Sequence, residues 1–221
     1  MSDELPLLPI FPLGTVLFPG GALPLHIFEE RYKLMIGACI AARQPFGVVL
    51  IRSGPEVGEG ATPFAVGTTA RIVRVEELPQ GRLNILTIGA ERFRIVAPDS
   101  SRAFLQARVS YLPREDGPAA AVEAVAEQVR TLFSEYYRLT LLLGDQWTRD
   151  VAIPTRPAML ADFVAGRLEV AMTTKQRLLE AETAHDCLAL EVTILTEAVR
   201  LLEARVAAQQ RQKFGGFGAL N

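Results

Sequence analysis

Leu5-Pro6-Leu7-Leu8-Pro9-Ile10-Phe11-Pro12-Leu13-Gly14-Thr15-Val16-Leu17-Phe18-Pro19-Gly20-Gly21, continued by Ala22-Leu23-Pro24-Leu25, is the stretch that decides the fold. It is apolar and interrupted by proline throughout. Proline fixes φ and donates no hydrogen bond, so it sits at strand ends, edges and bulges. It also pushes the residue before it towards extended geometry. The stretch is therefore read as short extended pieces joined by tight turns, with Pro19-Gly20-Gly21 the sharpest. It is too broken for a helix or a membrane span.

The residues that follow add one helix and more strands. Residues 29–43 are read as a helix, because Tyr32, Met35, Ile36, Cys39 and Ile40 recur at three- and four-residue spacing and make one apolar face. Residues 46–51 are a near-continuous apolar run, which suggests a strand buried on both faces. Residues 52–62, with three glycines, a proline and two glutamates, form a polar surface loop. Residues 65–77 and 83–88 form a hairpin around Leu78-Pro79-Gln80-Gly81-Arg82. Past Gly89, Phe93 and Ile95 alternate with arginines, and Leu105, Ala107, Val109 and Tyr111 alternate with Gln106, Arg108 and Ser110. Both patterns indicate half-buried antiparallel strands. Short strands at this spacing, with one early helix, suggest a small barrel or sandwich.

The pattern changes at Leu112-Pro113-Arg114-Glu115-Asp116-Gly117-Pro118, where polar residues, proline and glycine mark a subdomain boundary. Beyond it, Val122, Val125, Val129, Leu132, Phe133, Tyr136 and Leu139 line one helical face, and Gly144-Asp145 ends that helix. Residues 157–168 suit a short helix, and Thr174 is the expected N-cap of the next. In the last helix Leu188, Val192, Leu195, Val199, Leu202 and Val206 form an a/d seam. The fold class is α+β. Residues 1–112 are a β-barrel subdomain, 113–118 a linker, 119–208 a helical bundle and 209–221 a mobile polar tail.

Composition narrows the function. With 221 residues, 49% of them hydrophobic, the chain has material for a proper core. A net charge of −2 gives no electrostatic footprint for nucleic acid or an anionic membrane. The start, Met1-Ser2-Asp3-Glu4, is no secretory leader, and no apolar run is long enough to span a bilayer. Cys39 and Cys187 stand without further cysteines, which fits a reducing cytoplasm and small buried apolar roles. There is no phosphate-cradling Gly-Lys-Ser/Thr loop, no nucleophile elbow, no His-Glu-x-x-His pair and no Cys-x-x-Cys. His26 and His185 lie in different expected subdomains and are read as structural or surface residues. Glu29-Glu30, Glu76-Glu77 and Asp99 are read as solvated or helix-start charges. No catalytic residue, cofactor or metal site is expected.

The opening stretch also carries a resemblance. Leu5-Pro6 to Leu13, Phe18-Pro19-Gly20 and Leu23-Pro24-Leu25 resemble the start of the amino-terminal, substrate-recognition domain of Lon proteases. Phe64-Ala65-Val66-Gly67-Thr68-Thr69-Ala70-Arg71-Ile72 resembles that family's VGT-A-I strand, and Leu78 to Arg82 its LPDG hairpin. Gly89-Ala90-Glu91-Arg92-Phe93-Arg94-Ile95 resembles its G-x-x-R-x-x-I strand. Leu160-Ala161-Asp162-Phe163-Val164 and Lys175-Gln176-Arg177-Leu178-Leu179-Glu180 resemble its helical LAD and KQ-LLE segments. Each motif is weak alone, but six in the family's order are specific. The resemblance implies a PUA-like pseudo-barrel followed by helices. In full-length Lon an ATPase module and a serine–lysine protease domain follow the matched region. Neither has positions in this sequence, so the resemblance implies no proteolysis and no ATP hydrolysis here. It implies a chain that binds unfolded or degron-bearing client polypeptide, or that acts as an adaptor for a separate protease.

Three features are candidates for binding. Leu13, Leu17, Phe18 and Leu78 are apolar residues in turn-like segments, and clustered exposed apolar side chains would hold unfolded clients with little sequence preference. The alternative is that they seal the barrel end. The a/d seam of the last helix suits a partner helix or, with so few heptads, the chain's own helices. Arg71, Arg74, Arg82, Arg92 and Arg94 suggest either a solvated sheet face or, as the alternative function, RNA binding through a PUA-like barrel. A third reading, a small-molecule enzyme, lacks the cluster of titratable residues it would need.

Overall fold

The structure is a computed structural model in which residues 5–55, 60–99, 101–144 and 151–215 are described. The proline-rich opening forms extended pieces separated by a turn, as its sequence predicts: residues 22–25 enter a second strand, and the first piece is β1 (Leu7–Leu13). Its first half pairs antiparallel with β6 (Gln106–Tyr111) and its second half pairs parallel with β3 (Phe46–Ser53). Each half thus has one neighbour, which leaves room for Pro9 and Pro12, residues without an N–H. The sharp turn is where the sequence places it. The Gly21 amide donates to the Phe18 carbonyl at 2.9 Å and Gly20 takes φ 75°, a type II turn with proline and glycine at its centre.

β2 (Ala22–Ile27), β4 (Thr62–Leu78) and β5 (Arg82–Asp99) complete the sheet. β5 pairs with β4, β4 with β3, β3 with β1, β1 with β6, and β6 with the second half of β5. Five strands therefore close on themselves, and β2 adds to residues 83–88 of β5. Bulges in β4 and β5 bend these long strands so that each serves different neighbours along its length. Leu8, Ile10, Val49, Phe93, Ala107 and Val109 converge inside the ring. A Cβ on Gly47 would meet the Phe93 ring at 2.5 Å, so glycine there makes the space that Phe93 fills. A second cluster lies under α1 (Glu30–Ala42), whose Tyr32, Met35, Ile36 and Cys39 are buried against Phe11, Leu13, Phe46, Val48 and Ile85. Ile40, expected on that face, is 38% exposed.

The helices are α2 (Ala119–Leu143), α3 (Pro157–Arg167), α4 (Met172–Glu180) and α5 (Ala184–Gly215), so the architecture is α+β. Val122, Ala126, Val129, Phe133, Tyr136 and Leu139 form the buried face of α2, which packs along α5. On α5, Leu188 and Leu195 of the seam are buried, while Val199, Leu202 and Val206 are only half-buried. Three expectations are corrected. The N-cap of α4 is Ala171, not Thr174. Residues 209–215 continue α5 rather than forming a loose tail, since Gln, Arg and Lys are good helix formers; residues 216–221 lie outside the described residues. The chain also divides differently from the expected barrel, linker and bundle. One unit comprises residues up to Arg114 together with Ala165–Ala181, and the other Glu115–Val164 with Glu182 onwards.

Polar contacts explain that division. In the barrel unit the buried Arg92 guanidinium donates through Nη1 to the Leu179 and Ala181 carbonyls, both at 2.7 Å. Arg114 donates to Ala181 and Leu178, and Gln176 Nε2 to the Val66 carbonyl at 3.0 Å. The last carbonyls of α4 have no partners within the helix, so two cations from the barrel side satisfy them. Residues 115–116 belong to the other unit: the Ala184 amide donates to the Glu115 carbonyl, and the Ala158 amide to the Asp116 carboxylate.

Candidate functional site

The apolar patch expected from the sequence is not on the surface. Leu13, Leu17 and Phe18 are 7%, 5% and 2% exposed, so these three seal the barrel instead. The turn that carries them is folded back on β5. The Gly20 amide donates to the Gly89 carbonyl at 2.9 Å, and the Gly89 amide to the Gly21 carbonyl at 2.8 Å. Leu78 alone remains half-buried, at the tip of the β4–β5 hairpin opposite Arg82.

An exposed apolar site does exist further along β4, and strand pairing creates it. β3 accompanies β4 only as far as Ala70, opposite Phe46. From Arg71 to Leu78 that edge of β4 has no strand beside it among the described residues. The last turn of α1 and residues 43–45 run alongside instead. Between them and residues 71–75 lies a cleft of about 440 Å³, a volume in the range of small-ligand sites. The bulge at Val73, the extra residue opposite Thr87 and Leu86, falls inside the cleft. Val73, Val75 and Ile40 are 53%, 39% and 38% exposed.

Charge is one-sided here. Arg43, Arg71 and Arg74 line the cleft, are exposed and make no ion pair with the described residues, and no acidic residue lines it. Arg43 is placed by the end of α1. It takes φ 51° as the residue that closes the helix, with its amide bonded to Ile40 and that of Gln44 to Cys39. At the floor, burial pushes the Cys39 thiol up to about 11, which keeps it an unreactive apolar group.

The remaining candidates are structural. Arg92 is buried in carbonyl contacts, Arg82 donates to the Pro79 carbonyl at the hairpin tip, and Arg94 is exposed. The five arginines therefore form no single basic face. His26 pairs with Asn84 at 2.8 Å, and His185 lies 3.6 Å from Asp186, each within its own unit. Glu29 and Glu30 pair with Arg31 and Lys33. Asp99 accepts from the Ser101 amide, a bond that lowers its pKa. Among the described residues, no cluster of His, Cys, Asp or Glu is suited to a metal, and no helix is long and apolar enough to cross a membrane.

Residues 7–197 match the family model described as the ATP-dependent protease La (LON) substrate-binding domain. The chain belongs to this family. The Lon protease of Paraburkholderia phytofirmans is 34% identical over 81% of the chain, and Lon protease 2 of Myxococcus xanthus is 32% identical over 81%. The chain spans about 22% of the length of each. The crystal structure of a Lon N-terminal domain protein from Xanthomonas campestris is 26% identical, with a TM-score of 0.60 over 84% of this chain and 96% of that one. The N-terminal domain of the Mycobacterium avium complex Lon protease shares the fold, at 18% identity and TM-score 0.61 over 88% and 98%.

In this LON substrate-binding domain the recognisable motifs do packing work rather than chemistry. A Cβ on Gly67 would lie 2.3 Å from the Val48 carbonyl oxygen, and one on Gly89 would lie 2.2 Å from that of Phe18. Arg92 and Gln176 tie α4 to the barrel strands. The cleft residues lie mostly outside those motifs, and exposed valines on a strand carry no sequence signal that separates them from buried ones.

Proposed function

We propose that this LON substrate-binding domain recognises polypeptide without cutting it. It holds exposed apolar segments of unfolded or degron-bearing clients and serves as an adaptor for a separate protease in protein quality control. The observation that carries this reading is the match to a substrate-binding domain over residues 7–197. The capture surface is the cleft beside β4, with Ile40, Val73 and Val75 as its apolar contacts and Leu78 at the end of the same strand. Apolar contacts are non-directional, so such a surface tolerates many client sequences.

The test is the affinity for a fluorescently labelled, permanently unfolded polypeptide and its folded counterpart, at low and high salt. Preferential binding of the unfolded form that persists in high salt is expected. Replacing Ile40, Val73 and Val75 together by serine should weaken it by about tenfold or more, since each partly buried apolar side chain is worth on the order of 1 kcal/mol. Equal binding of both forms would remove the reading. Tighter binding of a single-stranded oligoribonucleotide, lost steeply as salt rises, would point to phosphate contacts and nucleic acid instead.

A further inference from the structure

The exposed valines alone would suit any apolar segment. The three arginines around them and the unpaired strand edge ask for something narrower. We infer that the cleft takes an extended, acidic polypeptide segment that adds to β4 as a strand along residues 71–75. This inference rests on the polypeptide-recognition reading above and names the class of segment.

Three observations converge on it. The first is the open edge. β4 loses β3 after Ala70, so the backbone groups of residues 71–75 that face away from β5 have no strand to pair with among the described residues. An unpaired edge is a template for another extended chain, and main-chain hydrogen bonds there give affinity independent of sequence. At about 3.3 Å per residue, residues 71–75 offer a run of about 13 Å, enough for roughly four residues of ligand.

The second is charge. Arg43, Arg71 and Arg74 stand at this edge with no acidic partner among the described residues, although the chain as a whole carries −2. A ligand with carboxylates at alternate positions supplies the missing partners on one face, and its apolar side chains meet Ile40, Val73 and Val75. Cationic side chains and a bulge are also how proteins stop a free edge from pairing with its own copies. Two copies of this edge would bring arginines together, so the same features that exclude self-association leave the edge open to an acidic strand.

The third separates peptide from nucleic acid. No aromatic side chain lines the cleft, so bases have no stacking platform. Three aliphatic side chains occupy the place where an RNA site would need aromatic or polar groups.

The test uses the intact chain and labelled peptides read by fluorescence anisotropy. The probes are VDVEVDV, its basic counterpart VKVKVKV, and VDVEVDV with alternate backbone nitrogens methylated. The acidic peptide should bind about tenfold or more tighter than the basic one at low salt, with the gap shrinking as salt screens the arginines. Methylation removes the N–H groups of one strand edge and should abolish binding while every side chain stays in place. Arg71→Glu with Arg74→Glu should invert the preference, and these exposed residues can be changed without touching the core. Equal affinity for acidic and basic peptides, undiminished binding of the methylated peptide, or an unchanged preference in the double variant would each overturn the inference. So would tighter binding of a single-stranded oligoribonucleotide that the double variant loses. If the double variant keeps the preference for the unfolded polypeptide in high salt but its choice between acidic and basic peptides is that of the original chain, polypeptide recognition stands and the acidic-strand inference fails. If the original chain shows no preference for the unfolded polypeptide, both fall.

Discussion

At the scale of single residues, the turn 18–21 and Gly89 define each other. The backbone of Phe18 approaches β5 so closely that only a residue without a side chain fits opposite, with 2.2 Å between the Phe18 oxygen and a Cβ placed on Gly89. Gly89→Ala should therefore cost about 2–4 kcal/mol, because backbone rather than a flexible side chain must move. A lower urea midpoint with an unchanged slope would show it. Cys39 makes a pH prediction. Burial raises its thiol from the ordinary 9.0 to about 11, so the folded state favours the neutral form. Its contribution is fully present below 9.0 and is lost as pH rises towards about 11. Cys39→Ala should flatten that part of a stability–pH curve, and an aromatic disulfide reagent should modify Cys39 of the folded chain only slowly at neutral pH. The sequence shows a small apolar cysteine on a helix face; its place in a cleft depends on residues 71–75 of β4, more than thirty residues away.

Elements were largely legible because their patterns are local. The three-and-four spacing of Tyr32, Met35, Ile36 and Cys39 gives α1, and the alternation around Val109 gives β6. Helix starts were less so. α5 begins with a reciprocal cap that Thr174, the N-cap expected for α4, does not provide. The Asp186 amide donates to Thr183 Oγ1 at 3.1 Å, and Thr183 Oγ1 donates to the Asp186 carboxylate at 2.7 Å. That contact holds the Asp186 carboxyl below its usual range. Thr183→Ala should destabilise α5 by about 1 kcal/mol, while Thr183→Ser should stay within a few tenths, as read by thermal unfolding. The free edge of β4 is the functional counterpart of the same point. Its residues read as a strand in the sequence, but which strand stops beside them, and where, is a matter of pairing.

Across the whole molecule, membership of a unit does not follow the order of the chain. Ala165–Ala181 belongs with the barrel because Arg92 and Arg114 donate to its backbone carbonyls and its own Gln176 donates to the Val66 carbonyl. Arg92→Ala would leave the buried Leu179 carbonyl without its donor, while Arg114 still reaches the Ala181 carbonyl, and should cost about 2–3 kcal/mol. Hydrogen exchange should rise first across residues 172–181, and Arg92→Lys should rescue little, since an ammonium lacks the guanidinium fork. By itself the sequence determined the class of fold, the elements, the turn at 18–21 and the family resemblance, because periodicity, proline and glycine act through the chain's own backbone. Only the tertiary structure decided that Leu13, Leu17 and Phe18 are core, that Arg92 is a clasp, and that Ile40, Val73 and Val75 share a cleft with three arginines. Burial and strand pairing are set by residues far apart in sequence, and an apolar side chain looks the same in the sequence whichever way its strand turns it.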